Sequence, residues 1–163
     1  MTTRPSPDHL RRGDLRILRP LEFESDGSRI VLVADVDRAR DVADVVLVHA
    51  DPGLATESDV VVPKAVARSR FPVVVQTDLR SVVWTRQLGE KVGRLEAEQI
   101  EAINDLVDAG PGASVDGYSL GLPLDGPFDG RWSFKREEGA DFRRLSADCT
   151  QALLDNDDWK ETP

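Results

Sequence analysis

The chain has 163 residues, 40% of them apolar and 31% charged, with a formal net charge of −9; this fits one globular domain and excludes wholesale disorder. No apolar run approaches the ~20 residues that cross a bilayer, and the start carries Arg4, Arg11 and Arg12 with no apolar stretch after them, so neither a membrane span nor a secretory signal is expected. The acidity argues against a broad nucleic-acid surface, because phosphate binding draws on a basic footprint, but it leaves room for a small arginine-lined site.

Residues 1–10 are polar, carry Pro5 and Pro7, and are expected to be flexible. Leu15 and Ile17 alternate after the turn Arg12-Gly13-Asp14, and Arg29 to Ala34 reads as a continuous apolar strand. Val45–Val48, Val60–Val62, Pro72–Val75 and Val82–Trp84 follow as further short strands punctuated by Gly, Pro and Asp. Such runs predict a compact barrel or sheet, since the intervening segments are too short and polar for crossover helices.

A helix is predicted from Glu96 to Asp108, with Ile100, Ile103 and Val107 on one face and Gly110-Pro111 ending it. Residues 110–130 hold six of the twelve glycines and read as a linker or long ordered loop. A second helix is predicted from about Asp141 to Asp155, with Phe142, Leu145, Cys149 and Leu153 on one side. Residues 109–163 carry 6 Lys/Arg against 11 Asp/Glu, so this part alone holds −5 of the net charge.

The strong catalytic signatures are absent: there is no paired CxxC, HExxH, GxxxxGK[ST] or GxSxG. His9, His49 and Cys149 cannot make a typical zinc site, and the lone cysteine cannot form an internal disulfide. Asp35, Asp37, Asp41 and Asp44 lie close together in the sequence, but a solvated loop face is the expected reading. No metal and no cofactor is expected, and the cytoplasm is the expected compartment.

Several stretches, in order, resemble the MazF/PemK toxins. Arg12-Gly13-Asp14-Leu15 is similar to their Gly-Asp opening, and Ser28-Arg29 to the start of their arginine-proline strand, with Ile30 in place of the proline. Val73 to Leu95, reading VVVQTDLRSVVWTRQLGEKVGRL, resembles their apolar strand, basic-Ser/Thr segment and Leu-Gly-x-x-x-Gly-x-Leu approach to the last helix, with Thr77-Asp78 replacing an Asp-Gln pair. The resemblance covers about residues 11–108. It implies a mainly β fold with α, a small SH3-like barrel of the CcdB/MazF kind with a helix near residue 100. The chain then divides into a flexible start (1–10), a barrel domain (11–109), and a Gly/Pro-rich linker with an acidic helical tail (110–163).

The same resemblance implies a toxin of a toxin–antitoxin system, a homodimer that cuts single-stranded RNA without a metal and is neutralised by an antitoxin protein. Arg29 matches the family arginine that meets phosphate, a role suited to a planar, permanently charged guanidinium. Asp51 stands where the family has a threonine or serine. A carboxylate cannot donate to phosphate when ionised, so Asp51 with His49, two residues away on the same strand face, implies either altered proton chemistry or a weakened site in which both are polar loop-edge residues. Arg12, Arg80 and Arg86 are candidate backbone contacts, and Trp84 matches a family aromatic expected to pack, a dimer interface being one place for it. The alternative is a non-catalytic binding module of the same fold, as the related CcdB toxins act on a protein. The acidic, partly apolar stretch 146–161 is an ordinary helix end or, as a sharper hypothesis, a segment that folds back on the site.

Overall fold

The structure, a computed structural model, describes residues 9–22, 27–111, 113–115 and 117–160, without the side chains of 114, 115 and 157–160. Most of the start expected to be flexible, and Trp159 as a side chain, lie outside the described residues. Eight strands, β1 (Asp14–Leu18), β2 (Arg29–Asp37), β3 (Val42–His49), β4 (Asp59–Val62), β5 (Val73–Trp84), β6 (Leu88–Arg94), β7 (Ser114–Val115) and β8 (Tyr118–Leu120), form one sheet in the order β6-β1-β2-β3-β5-β4-β8-β7. All pairs are antiparallel. Two helices complete the fold, α1 (Ala97–Ala109) and α2 (Gly130–Lys160).

The sheet curls into a half-barrel, mainly β with α as expected. Its curl brings β6 against the loop after β4, where the Arg94 N–H donates to the Ala67 carbonyl (2.9 Å). Gly13 makes the entry to β1 possible: its φ is +96°, and a Cβ there would stand 2.0 Å from the Leu95 carbonyl oxygen.

Successive residues of a strand face opposite sides, and here both sides are covered. Leu15, Leu32, Val46, Val48, Val60 and Val75 point into the concave core that α1 closes with Ile100, Ile103 and Leu106. Val31, Val33, Val45, Leu47 and Val83 point the other way, to Phe142 and Leu145 of α2. Burial on both faces explains why β2 and β3 read as unbroken apolar runs instead of alternating.

Four elements differ from the sequence reading. The runs expected at Pro72–Val75 and Val82–Trp84 are not two strands but the two ends of the twelve-residue β5, which begins at Val73. Its polar middle stays extended because Gln76 is fully buried and the Thr77 hydroxyl donates to the Ser58 carbonyl (2.7 Å). Leu88 to Arg94 is a strand, paired with β1. The Gly/Pro segment contributes β8, whose Leu120 pairs with Val60 and extends the sheet. Finally, α2 starts at Gly130, eleven residues before Asp141. In α1 the buried stripe is Ile100, Ile103 and Leu106, with Val107 left exposed.

Candidate functional site

The site lies where β2 begins and β3 ends. Arg29 opens β2, and the antiparallel register sets Ile30 against Val48, so Arg29 and His49 meet at one end of the hairpin. Directly after β3 the chain turns at Asp51, whose carboxylate accepts the Gly53 N–H (3.0 Å) and caps the short 3-10 turn Pro52–Leu54. A shallow cavity of about 540 Å³ is lined by Arg29, His49, Asp51 and Leu54, together with Phe134 and Glu138 of α2. The three residues proposed from sequence for catalysis therefore share one cavity. Phe134 and Glu138 were missed, because nothing in their local sequence separates them from an ordinary helix surface.

Arg29 is held from above. Its terminal nitrogen donates to Asp141, and its Nε lies 2.9 Å from a Glu138 oxygen, an ion pair at contact distance whose angle falls outside hydrogen-bond geometry. Burial pushes the Glu138 carboxyl up, against the Arg29 charge and the Gln76 amide, which pull it down. The Arg29 side chain is 28% exposed and lines the cavity, so a small ligand can still reach it.

His49 is 8% exposed. The Asp51 backbone N–H donates to its Nδ1 (3.1 Å), so in the neutral ring the hydrogen sits on Nε2. That Nε2 is buried and has no hydrogen-bond partner among the described residues. Phe134 meets the imidazole edge-on, with ring centroids 5.0 Å apart at 83°. Burial first, then the Lys135 ammonium, hold the His49 pKa down to about 4 against the opposing charge of Asp51. The ring is neutral at pH 7 in this arrangement, a donor and not an acid.

Lys135 itself bridges Asp59 and Asp78 (2.5 Å to the latter). Asp59 is fully buried and accepts the Thr56 N–H (2.9 Å) and hydroxyl (3.2 Å); burial raises its pKa while Lys135 restrains the rise. Arg131 fixes the start of α2 by donating to the carbonyls of Ala55, Leu122 and Pro123 (2.8 Å each).

The other sequence-proposed arginines stand elsewhere. Arg80 on β5 is paired with Asp44 (2.9 and 2.5 Å) at an exposed position, worth about 0–1 kcal/mol. Arg86 lies over the Trp84 ring, 4.9 Å from its centroid, and lines a second cavity of about 450 Å³ with Arg16 and Arg38. That cavity adjoins Val36, seven residues along β2 from Arg29 and so roughly 23 Å away. Arg12 is exposed and borders neither cavity. Trp84 donates from its indole to Asp148 of α2 (2.8 Å), so this helix of the same chain meets it. The stretch 146–161 does not reach the Arg29 cavity through any described side chain; residues 134–141 of the same helix do. Among the described residues no group of His, Cys, Asp and Glu is placed to hold a metal ion, and no helix is long and apolar enough to cross a membrane.

No protein-family model matches the chain, and no curated protein matches it in sequence. Among solved structures it is similar to the Mycobacterium tuberculosis toxin MazF-mt6, at 25% identity and TM-score 0.42, over 59% of this chain and 93% of that one. It is also similar to an Mtb toxin, at 22% identity and TM-score 0.42, over 58% of this chain and 98% of that one. A third similar structure is an endoribonuclease in complex with its cognate antitoxin from a mycobacterial species, at 15% identity and TM-score 0.41, over 65% and 99% of the two chains.

Proposed function

We propose that the chain is a MazF/PemK-like protein of a toxin–antitoxin system whose Arg29 groove takes the phosphate of a single-stranded RNA. One observation carries this reading: Arg29 shares an open cavity with His49, whose buried Nε2 donor lacks a partner. A buried donor without an acceptor costs about 1–3 kcal/mol, and a phosphate oxygen would relieve it. Arg29 would neutralise the same phosphate with its planar fork.

Metal-independent cleavage then requires that the ribose 2′-hydroxyl attack the adjacent phosphorus as its proton is taken up and a proton reaches the leaving oxygen. Asp51, the exposed carboxylate of the cavity lining, is the group to accept the first proton. Neutral His49 can stabilise the phosphorane by hydrogen bonding, but at pH 7 it does not donate as an imidazolium while α2 covers it. This chemistry is altered relative to a site with a hydroxyl at position 51. Arg12, Arg80 and Arg86 are the outer contacts of a longer strand. A second copy of the chain and an antitoxin protein are the partners this reading implies, and the cytoplasm its compartment.

A second reading, a non-catalytic module that binds its target in the same groove, is favoured by the Asp51 carboxylate being engaged in its cap. Long single-stranded RNA incubated with the purified chain separates the two. Discrete fragments ending in cyclic phosphate, lost in Arg29→Ala, are the expected products of the enzyme. Bound but intact RNA supports the module, and RNA neither bound nor cut contradicts both.

A further inference from the structure

We propose that the first half of α2 is a built-in competitor for the anion site, its carboxylates Glu138 and Asp141 occupying Arg29 where a phosphate group would sit. The inference rests on the reading of the groove as a phosphate site, and adds how that site is regulated.

The two halves of α2 meet the sheet by different forces. From Arg131 to Asp141 the contacts are ionic or polar: Arg131 to carbonyls, Lys135 to Asp59 and Asp78, and Glu138 with Asp141 to Arg29, with Phe134 over His49 as the apolar exception. From Phe142 onward the buried residues are Phe142, Leu145 and Cys149, beside the Ser146 hydroxyl that bonds back to the Phe142 carbonyl (2.9 Å), with the Trp84 indole on Asp148 and the Gln87 amide on the Leu145 carbonyl as the polar exceptions. Gly139 lies within the first half, between Glu138 and Asp141, where it weakens helical continuity. A charged contact exchanges for another anion, whereas an apolar one has no soluble competitor. The first half can therefore yield to a ligand while the second keeps the helix docked.

One carboxylate would suffice for a structural ion pair, and such pairs are weak evidence of stabilisation. Arg29 has two, placed around the planar fork that phosphate also takes. The same half of α2 brings Phe134 and Lys135 to His49, whose surroundings also include Arg29, Asp51 and Glu138. Displacing this half frees Arg29 and, by removing cover and a positive neighbour, makes His49 easier to protonate. One movement thus exposes the phosphate charge and restores a proton donor.

The test uses the full chain and its Glu138→Gln/Asp141→Asn variant, which keeps the side-chain shapes and removes the charges. Binding is measured calorimetrically with inorganic pyrophosphate and with a short single-stranded RNA. The expected result is that both bind at least about tenfold more tightly to the variant, with the gain abolished by adding Arg29→Ala. Tighter pyrophosphate without tighter RNA keeps the competitor and removes the RNA reading. A folded variant with unchanged affinity for both overturns the proposal. Should the double variant not fold, Asp141→Asn alone, at a side chain 30% exposed, replaces it, with about a threefold gain expected and no gain overturning the proposal.

Discussion

Two helices roof the same curled sheet, and they do so with different chemistry. The concave face is closed by α1 through Ile100, Ile103 and Leu106, an apolar stripe with no polar partner to lose. The opposite face is closed by α2, apolar at Phe142, Leu145 and Cys149 but ionic at Lys135 and Glu138, both nearly fully buried. The difference separates packing from function. Apolar cover is non-directional and carries no titrating group, so it serves as scaffold. Ionic cover over Arg29 and His49 is directional and, on the reading proposed above, exchangeable for another anion.

The largest expected effect breaks the ionic roof. Lys135→Met leaves Asp59 buried without its counter-charge, at a loss of about 3–5 kcal/mol near pH 7. Ile103→Ala in α1 costs about 2–5 kcal/mol by leaving a cavity. Acid distinguishes the two in urea denaturation. Asp59 has a raised pKa in the folded state, so it binds its proton more readily folded than unfolded, and falling pH favours the fold. The Lys135→Met loss therefore shrinks as pH falls toward the carboxylate range, while the Ile103→Ala loss does not. A neutral Lys135→Met, or equal pH dependence in both variants, would remove the distinction between the roofs.

A smaller effect concerns His49. Its imidazole is expected to titrate by NMR near 4 instead of its ordinary 6.5, because α2 buries it and brings Lys135 near. The folded pKa lies below the unfolded one, so the stability tied to the neutral ring is present above about 6.5 and is lost as pH falls toward 4. His49→Phe flattens that part of the curve. A midpoint near 6.5 in the intact chain would mean that the ring is not covered.

The contrast between the roofs also explains what could be read from sequence. The strands around Val31, Val46 and Val60 and the helix α1 were legible because apolar runs and a 3.6-residue stripe are local signals. The second half of α2 was legible for the same reason, at Phe142, Leu145 and Cys149. Its first half was not: it buries Lys135 and Glu138, whose partners Asp59, Asp78 and Arg29 are distant in sequence. The single strand β5 was hidden by Gln76-Thr77-Asp78, polar residues whose burial or bonding comes from parts of the chain distant in sequence, among them Ser58 and Lys135. For the site, Arg29, His49 and Asp51 were legible as residues on neighbouring strand ends, and the structure gathers them. Arg80 was read from its charge and its place in the family-like basic segment and Arg86 from its charge, neither of which reports that Asp44 holds one and the Trp84 ring underlies the other.

The most direct measurement is the set of arginine Nε–H NMR signals of the full chain as single-stranded RNA is added. The account predicts that the Arg29 signal shifts first and furthest, together with that of the His49 ring, as the RNA phosphate takes the place of Glu138 and Asp141. An Arg29 signal that stays in place while Arg80 or Arg86 responds would put the RNA elsewhere on the molecule and contradict the account.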